Sequence, residues 1–348
     1  MFYTKNPTAF FSETNSDRFI NLGKYQFTPE QKDFIRLLHL AIFTTDQKSE
    51  KEIYDFLENQ EIPHSTWNLA LDYKLIIPVY KPRNKGFYPK NKLFLDLLLR
   101  NPQNFNLDQE HILVIGCGGI GNFMTYPLTT LGIGTMSLLD GDHVEESNLN
   151  RQFLFDYHSI GRSKVEVMAE KLHSMNNKME IRTYPHELSM ELLKNIYHQS
   201  NQKISLVILS ADEGNCLEIT NTFCTANKIA LLNVGYLNDF SVIGPFYIPD
   251  LSACYYCEDS LGVTKQSNST LQKKIKEAHK NHQAPSFFTN NAIASSMAII
   301  DILYFFNQSF DQINSLNKRI GISNHDFSFH SIPVTKNDTC KYCGNSLS

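Results

Sequence analysis

HILVIGCGGIGNFMTYPLTTLGIGTMSLLDGDHVEESNLNR, residues 111–151, is the stretch whose reading decides the fold. Ile112 to Ile115 are apolar and mostly branched, the composition of a strand buried on both faces. Gly116, Gly118 and Gly121 then supply a GxGxxG turn, with a helical pattern after it. Met136 to Leu139 form a second apolar run that Asp140 closes. A carboxylate about twenty residues past such a turn reaches a ribose, while the helix N-terminus near Gly119 takes phosphate. A bare glycine turn also fits a tight strand-to-helix corner with no ligand. The strand before it, the helix after it and the acidic tip are three separate conditions of the fingerprint, and together they predict a nucleotide.

The chain around this stretch has 348 residues, enough for a large core and two domains. Its net charge of −4 and pI near 6.3 argue against a protein built to coat nucleic acid. No apolar run reaches the roughly 18 residues of a membrane span. MFYTKNPTAFF lacks a basic segment followed by a long apolar core, so no secretory signal is visible and a cytoplasmic location is expected.

Residues 1–106 differ in pattern from the rest of the chain. Thr28, Pro29 and Glu30 mark a helix start before FIRLLHLAIF, and further helical patterns run from about Asp46 to Leu57 and from Ser65 to Leu71. LIIPVY and GFYP then suggest a hairpin. Three helices and a hairpin outline a winged helix, whose wing would carry Lys81, Arg83, Lys85, Lys90 and Lys92. DNA binding is one reading of that basic run. Residues 1–106 hold 14 Lys plus Arg against 12 Asp plus Glu, so the excess is small, and an acidic peptide or a plain solvated face fits equally. RNPQNFNLDQE is the expected linker to the nucleotide domain, residues 107–348.

Beyond Arg151 the pattern of a doubly wound α/β sheet continues, with a helix from about Ser163 to Met175, a strand near Ile181, a helix near Leu188 to Tyr197 and the strand ISLVILS. That strand delivers Ala211 and Asp212 to the carboxyl edge of the sheet, where ligands of open α/β folds bind. Asp212 is a candidate for the Mg2+ that accompanies a triphosphate, and equally an N-cap for the helix starting near Asn215. IALLNVGY reads as a strand, and DFSVIGPFYIP as an antiparallel strand with one polar face. KKIKEAHKNHQ reads as a polar surface helix or crossing loop, and NAIASSMAIIDILYFF as a small-residue helix that packs closely on a sheet or on a symmetry mate.

Seven cysteines in a chain without a signal make a poor disulfide framework. Cys254 and Cys257 form one CxxC pair, Cys340 and Cys343 another, 83 residues further on. Two thiolates on one turn suit a tetrahedral metal, and the distance between pairs means that the fold assembles the site, a single structural Zn2+. Two independent redox motifs are the rival, but neither pair sits at a helix start after a strand.

Laid along the chain, the glycine turn, NLNRQ, the helix of Lys164, SAD and the paired CxxC motifs resemble the ubiquitin-activating enzyme and ThiF superfamily over roughly residues 107–347. GYLNDFSVIGPFYIP, CYYC and SLNKRIGI are similar to its peptide-modifying members of the microcin C adenylyltransferase type, which carry an N-terminal peptide-clamp domain. The resemblance implies a Rossmann-like adenylation domain with a mainly parallel sheet, a winged-helix-like clamp at 1–106, and a homodimer acting on a precursor peptide with ATP. It puts Gly116, Gly118, Gly119 and Gly121 under the nucleotide and Asp140 on the ribose. Asn148, Arg151 and Lys164 fall on the phosphates with Gln152 beside them, and Asp212 on Mg2+. The alternative for Arg151 and Lys164 is a pair of surface cations near Asp156 and Glu166. No cysteine lies between Cys257 and Cys340, so the thioester relay of other members is not expected. Microcin-like nucleotidylation through an Asn amide and pantocin-like activation of Glu side chains both begin with such a site. Activation of a ubiquitin-like sulfur carrier, a nucleotide-sensing DNA-binding regulator and a hydride-transferring dehydrogenase are the rival readings.

Overall fold

The computed structural model describes residues 1–15, 17–22, 25–79, 89–100, 102, 105–200, 202–211, 215–258 and 285–344. The chain divides into two compact units, Met1–Arg83 with Lys92–Leu98, and Asn84–Asn91 with Leu99–Ser348.

The first unit runs β1 (Phe2–Lys5), β2 (Phe10–Glu13), β3 (Arg18–Leu22), β4 (Tyr25–Phe27), α1 (Gln31–Phe43), β5 (Lys48–Ser49), α2 (Glu50–Asn59), α3 (His64–Asp72), β6 (Ile76–Pro78) and, from Lys92 onward, α4 (Pro89–Leu98). Its strands form two antiparallel sheets of three, β5-β1-β6 and β2-β3-β4. Ile20, Leu37, Leu40, Ile53, Leu57 and Leu75 fill the core between them and the helices. The three expected helices are present, but α2 starts four residues later than the apolar pattern predicts. Ser49 accepts from Glu52 N and Glu52 accepts from Ser49 N, a capping box that fixes the start at Glu50 and frees Lys48–Ser49 to pair with β1. The second arm of the expected hairpin, with Lys81, Arg83 and Lys85, lies outside the described residues. Lys92 is on α4, where it pairs with Asp96 at 2.6 Å, and Lys90 shares that helix.

The second unit continues with β7 (His111–Ile115), α5 (Gly119–Thr130), β8 (Thr135–Leu139), α6 (Lys164–Met175), β9 (Glu180–Tyr184), α7 (Met190–Gln199), β10 (Leu206–Leu209), α8 (Cys216–Ala226), β11 (Ala230–Leu237), β12 (Phe240–Ile243), α9 (Phe288–Phe306), β13 (Lys318–Ser323) and β14 (Phe329–Pro333). One eight-stranded sheet runs β14-β13-β12-β11-β10-β7-β8-β9. The five strands from β11 to β9 are parallel and the other three antiparallel. The chain winds outward from β7 to β9 and returns to β10 on the other side of β7. The order therefore reverses between β7 and β10, and the carboxyl ends of those two strands flank the crevice where such sheets bind ligands.

Three expectations change here. Residues 105–108 are packed rather than a free linker, since Phe105 and Leu107 are buried and Gly134 N donates to Leu107 O. The strand read through DFSVIGPFYIP stops at Ile243, because Gly244 adopts φ +82° and turns the chain. Its Ser241 is buried and donates to Asn290 O, so the polar position faces α9 and not water.

Two buried ionisable groups brace this unit. Asp301 of α9 accepts from the N–H and side chain of Asn314 and of Ser315 at 2.6–2.8 Å, while burial pushes its pKa up. His111 at the start of β7 bonds Ser137 Oγ at 2.9 Å and Gln202 O at 3.2 Å, and burial pushes its pKa down. Among the described residues no helix is long and apolar enough to cross a membrane.

Candidate nucleotide site and cysteine cluster

The glycine turn leaves β7 where β10 ends beside it. Gly116 has φ +93°, and a Cβ there would stand 2.8 Å from Ala211 N and 2.9 Å from Ser210 C. A Cβ on Gly121 would overlap Gly116 O, and one on Gly119 would overlap the side-chain oxygen of Asn291 on α9. These three glycines therefore let the turn close on itself, on β10 and on α9. Gly118 differs, because its Cβ would meet only Gln152 Nε2 at 3.8 Å. It therefore leaves space beside the start of α5.

Asp140 at the tip of β8 accepts from Cys117 N at 2.6 Å and from Asp142 N at 2.8 Å, one bond per oxygen. Each oxygen keeps a second lone pair for a hydroxyl donor. Cys117 is fully buried and its thiol is pushed well up by burial and then by Asp140, which makes it packing rather than a nucleophile. Ser210 Oγ donates to Gly116 O at 2.8 Å and closes the turn against β10.

The segment carrying NLNRQ lies beside this turn. Gln152 is buried, and its Oε1 has no hydrogen-bond partner among the described residues. Such an unpaired buried acceptor calls for a donor that a bound group or water supplies. Asn148 is buried and its Oδ1 accepts from Glu145 N at 3.1 Å, which places it in the frame of the segment. Arg151 Nη1 donates to Ser147 O at 3.0 Å and Asn150 Oδ1 at 2.9 Å, and the guanidinium forms no ion pair among the described residues.

Lys164 opens α6, and its side chain is 8% exposed. Its Nζ lies 2.6 Å from Asp142 Oδ2 on a side chain 62% exposed. The alternative of surface cations near Asp156 and Glu166 does not describe Lys164, since Lys164 is buried and Asp156 pairs with Lys171. Asp212 lies outside the described residues, although Ala211 reaches the turn.

Sequence reading missed the side chains that join these parts, above all Asn122 and Asn291. Asn122 is buried and bonds both the turn and the NLNRQ segment. The only signal was a polar residue in an apolar helical pattern directly after Gly121.

Cys254, Cys257, Cys340 and Cys343 converge, with all four sulfurs within 4.8 Å of one another. Cys254 and Cys340 stand 3.7 Å apart, Cys254 and Cys257 3.9 Å, and Cys257 and Cys343 3.4 Å. Four thiolates at the usual Zn–S length stand about 3.8 Å apart on a tetrahedron, so the donor set fits that metal. The cluster packs in the core beside Tyr255, Leu231 and Val334, and so ties the C-terminal segment to the sheet.

An aromatic patch lies on the same unit. Phe123 meets Phe153 at 4.8 Å and Phe288 at 5.1 Å between ring centroids, and Tyr126 meets Phe153 at 6.0 Å. Tyr126, Phe153, Phe287 and Phe288 are all exposed.

Known proteins resemble this chain in sequence and in fold. The sulfur carrier protein ThiS adenylyltransferase of Escherichia coli is 30% identical over 173 residues, 49% of this chain and 65% of its own length. The chain thus spans less than two thirds of that relative's length. Among solved structures, E. coli MccB with MccA-N7isoASN superposes with a TM-score of 0.86 at 26% identity, over 99% of this chain and 100% of that one. MccB with ATP gives 0.84 at the same identity and coverage. The ThiF family profile matches residues 93–342, which hold the glycine turn, Asp140, Arg151, Lys164 and three of the four clustered cysteines, and the chain belongs to the ThiF family.

Proposed function

We propose that this chain is an ATP-dependent adenylyltransferase that activates a carboxyl or amide group of a ribosomally made precursor peptide in peptide antibiotic biosynthesis. The observation that carries the reading is the likeness to MccB over 99% of this chain and all of that one, since MccB has been solved with ATP and with MccA. A likeness confined to the ATP unit would have left the substrate open. Here the first unit is included, and residues 1–106 are read as a winged-helix-like clamp for the peptide.

In the proposed reaction a substrate oxygen attacks the α-phosphorus of ATP. The new O–P bond forms as the bond to the β-phosphate breaks, and pyrophosphate leaves. A carboxylate is already ionised at neutral pH and needs no base, so the demand on the protein is positive charge against the departing pyrophosphate. Lys164 and Arg151 supply it, the N-terminus of α5 at Gly118 and Gly119 holds phosphate, and Asp140 takes the ribose. Asn148 frames the segment and Gln152 fills the gap beside Gly118. Asp212 would hold Mg2+, which would neutralise triphosphate charge. A Zn2+ on Cys254, Cys257, Cys340 and Cys343 serves structure, and the exposed patch around Phe153 is the contact between two copies in a homodimer.

Activation of a sulfur-carrier C-terminus is the second reading, favoured by the 30% identity to the ThiS adenylyltransferase. The experiment incubates the purified chain with ATP, Mg2+ and short peptides encoded beside its gene, measuring pyrophosphate and peptide mass. An added nucleotide marks the microcin-like outcome and loss of water the pantocin-like one. No ATP turnover with any peptide, together with turnover on a small folded protein ending in Gly-Gly, would overturn the peptide reading.

A further inference from the structure

Asn122 occupies the point where three parts of the candidate site meet. It is fully buried on the first turn of α5. Its Nδ2 donates to Cys117 O at 3.1 Å and to Gly118 O at 3.0 Å, the carbonyls of the glycine turn. Its Oδ1 accepts from Leu154 N at 2.9 Å, two residues beyond Gln152. The same Nδ2 lies 3.6 Å from the sulfur of Met168, on the helix that begins with Lys164. The amide orientation follows from its partners, because two carbonyls demand the NH2 end and the Leu154 N–H demands the oxygen.

We propose that Asn122 is a positioning residue that holds the Arg151–Gln152 segment at a fixed distance from the glycine turn, and so sets the phosphate cation against the α-phosphate. The inference rests on the adenylyltransferase reading. The turn is secured independently of Leu154, by Asp140 on Cys117 N and by Ser210 on Gly116 O. The Leu154 amide has Asn122 as its partner from the turn side, and both groups are buried. Loss of this bond therefore leaves the nucleotide cradle in place and lets the segment with Arg151 move. A residue that acts only by placing a transition-state charge changes turnover more than ATP affinity.

Asn122→Ser separates the two functions. A serine hydroxyl there can still bond Gly118 O, four residues back on the helix, but is too short to reach Leu154. The expected result is an ATP KM within about 3-fold of the parent and a kcat lower by about 10- to 100-fold, the order that a misplacement of about 1 Å carries. Asn122→Ala removes both ends and is expected to raise KM as well. Hydrogen exchange of the free protein supplies a readout independent of activity, with the Leu154 amide exchanging faster in Asn122→Ser while amides of β7 and β10 keep their protection. Equal loss of protection throughout the sheet, or kcat and Leu154 exchange both unchanged, would overturn the proposal. An inactive parent protein would count against the adenylyltransferase reading instead, and Leu154 exchange would still decide whether Asn122 holds the segment.

Discussion

The four glycines of the turn look alike in sequence, yet alanine at Gly116 and at Gly118 should fail in different ways. At Gly116 the backbone is left-handed at φ +93°, which costs an L-residue about 1–2 kcal/mol. The new methyl would also press on Ala211 N at 2.8 Å and Ser210 C at 2.9 Å, both backbone atoms of a buried strand end. Overpacking of that kind adds about 1–3 kcal/mol. The total, about 2–5 kcal/mol, is a large share of the roughly 5–15 kcal/mol that holds a domain folded, and corresponds to a melting point lower by roughly 5–15 °C. At Gly118, φ is −73° and the methyl meets only Gln152 Nε2 at 3.8 Å, so melting should stay within about 2 °C of the parent. There the methyl stands instead where the backbone must approach the pyrophosphate, and ATP affinity should fall by about 10-fold or more. Thermal melting with and without ATP, followed by calorimetric titration, measures both. A Gly116→Ala protein that melts with the parent would refute the packing argument. A Gly118→Ala protein that binds ATP like the parent would reduce the motif to a structural corner.

Lys164→Met should leave melting nearly unchanged, because Asp142 remains largely solvated, while pyrophosphate release falls by about 100-fold or more; unaltered release would remove Lys164 from the chemistry. One zinc per chain is expected by elemental analysis of the parent protein and none in Cys254→Ser or Cys340→Ser, with a lower melting point on chelation; a metal-free parent of full stability would end the zinc reading. Burial holds the His111 pKa below its unfolded value, so the unfolded chain binds the extra proton first; the stability from His111 is complete above about pH 6.5 and is lost as pH falls below it. Urea midpoints measured from pH 7.5 to 5 should therefore fall more steeply for the parent than for His111→Gln, and parallel curves would contradict this. Phe153→Asp should convert a dimer to a monomer in light scattering, and a parent that is already monomeric would dismiss the aromatic patch as a dimer contact.

The second unit was legible because its central parallel strands β7, β8 and β10 are buried on both faces and read as largely apolar runs between turn signals, whereas the edge strand β9 (EIRTY) is only half-buried. β7, β8 and β10 all lie within a residue or two of their expected places. The N-terminal strands were not legible. β1 to β5 are two to five residues long, with mostly half-exposed side chains, so no alternation marks them. The cysteine spacing foretold a shared cluster because two CxxC pairs carry their geometry with them, whereas Asn122 and Asn291 do not. An asparagine in a helix has many uses, and which carbonyl it meets is settled by how α5, α9 and the segment after Arg151 pack. Ser241 shows the same limit, since alternation identifies a polar position but not whether water or a helix carbonyl satisfies it.

At the candidate site, frame and charge are held by different bonds. Asp140 fixes the glycine turn and the next loop together, through Cys117 N and Asp142 N. The loop is tied a second time to the start of α6, where Lys164 N donates to Asp142 O at 3.1 Å. These are bonds to backbone N–H groups that no ligand needs to break. The Lys164 ammonium is nearly buried, but its partner carboxylate is 62% exposed and keeps most of its hydration. On the proposed adenylyltransferase reading, an arriving phosphate competes with Asp142 for Lys164 without stripping a carboxylate of water or loosening the loop that carries it. Such a site binds a polyanion with little reorganisation of its backbone, which is the condition under which fixed charges act most strongly on a developing transition state.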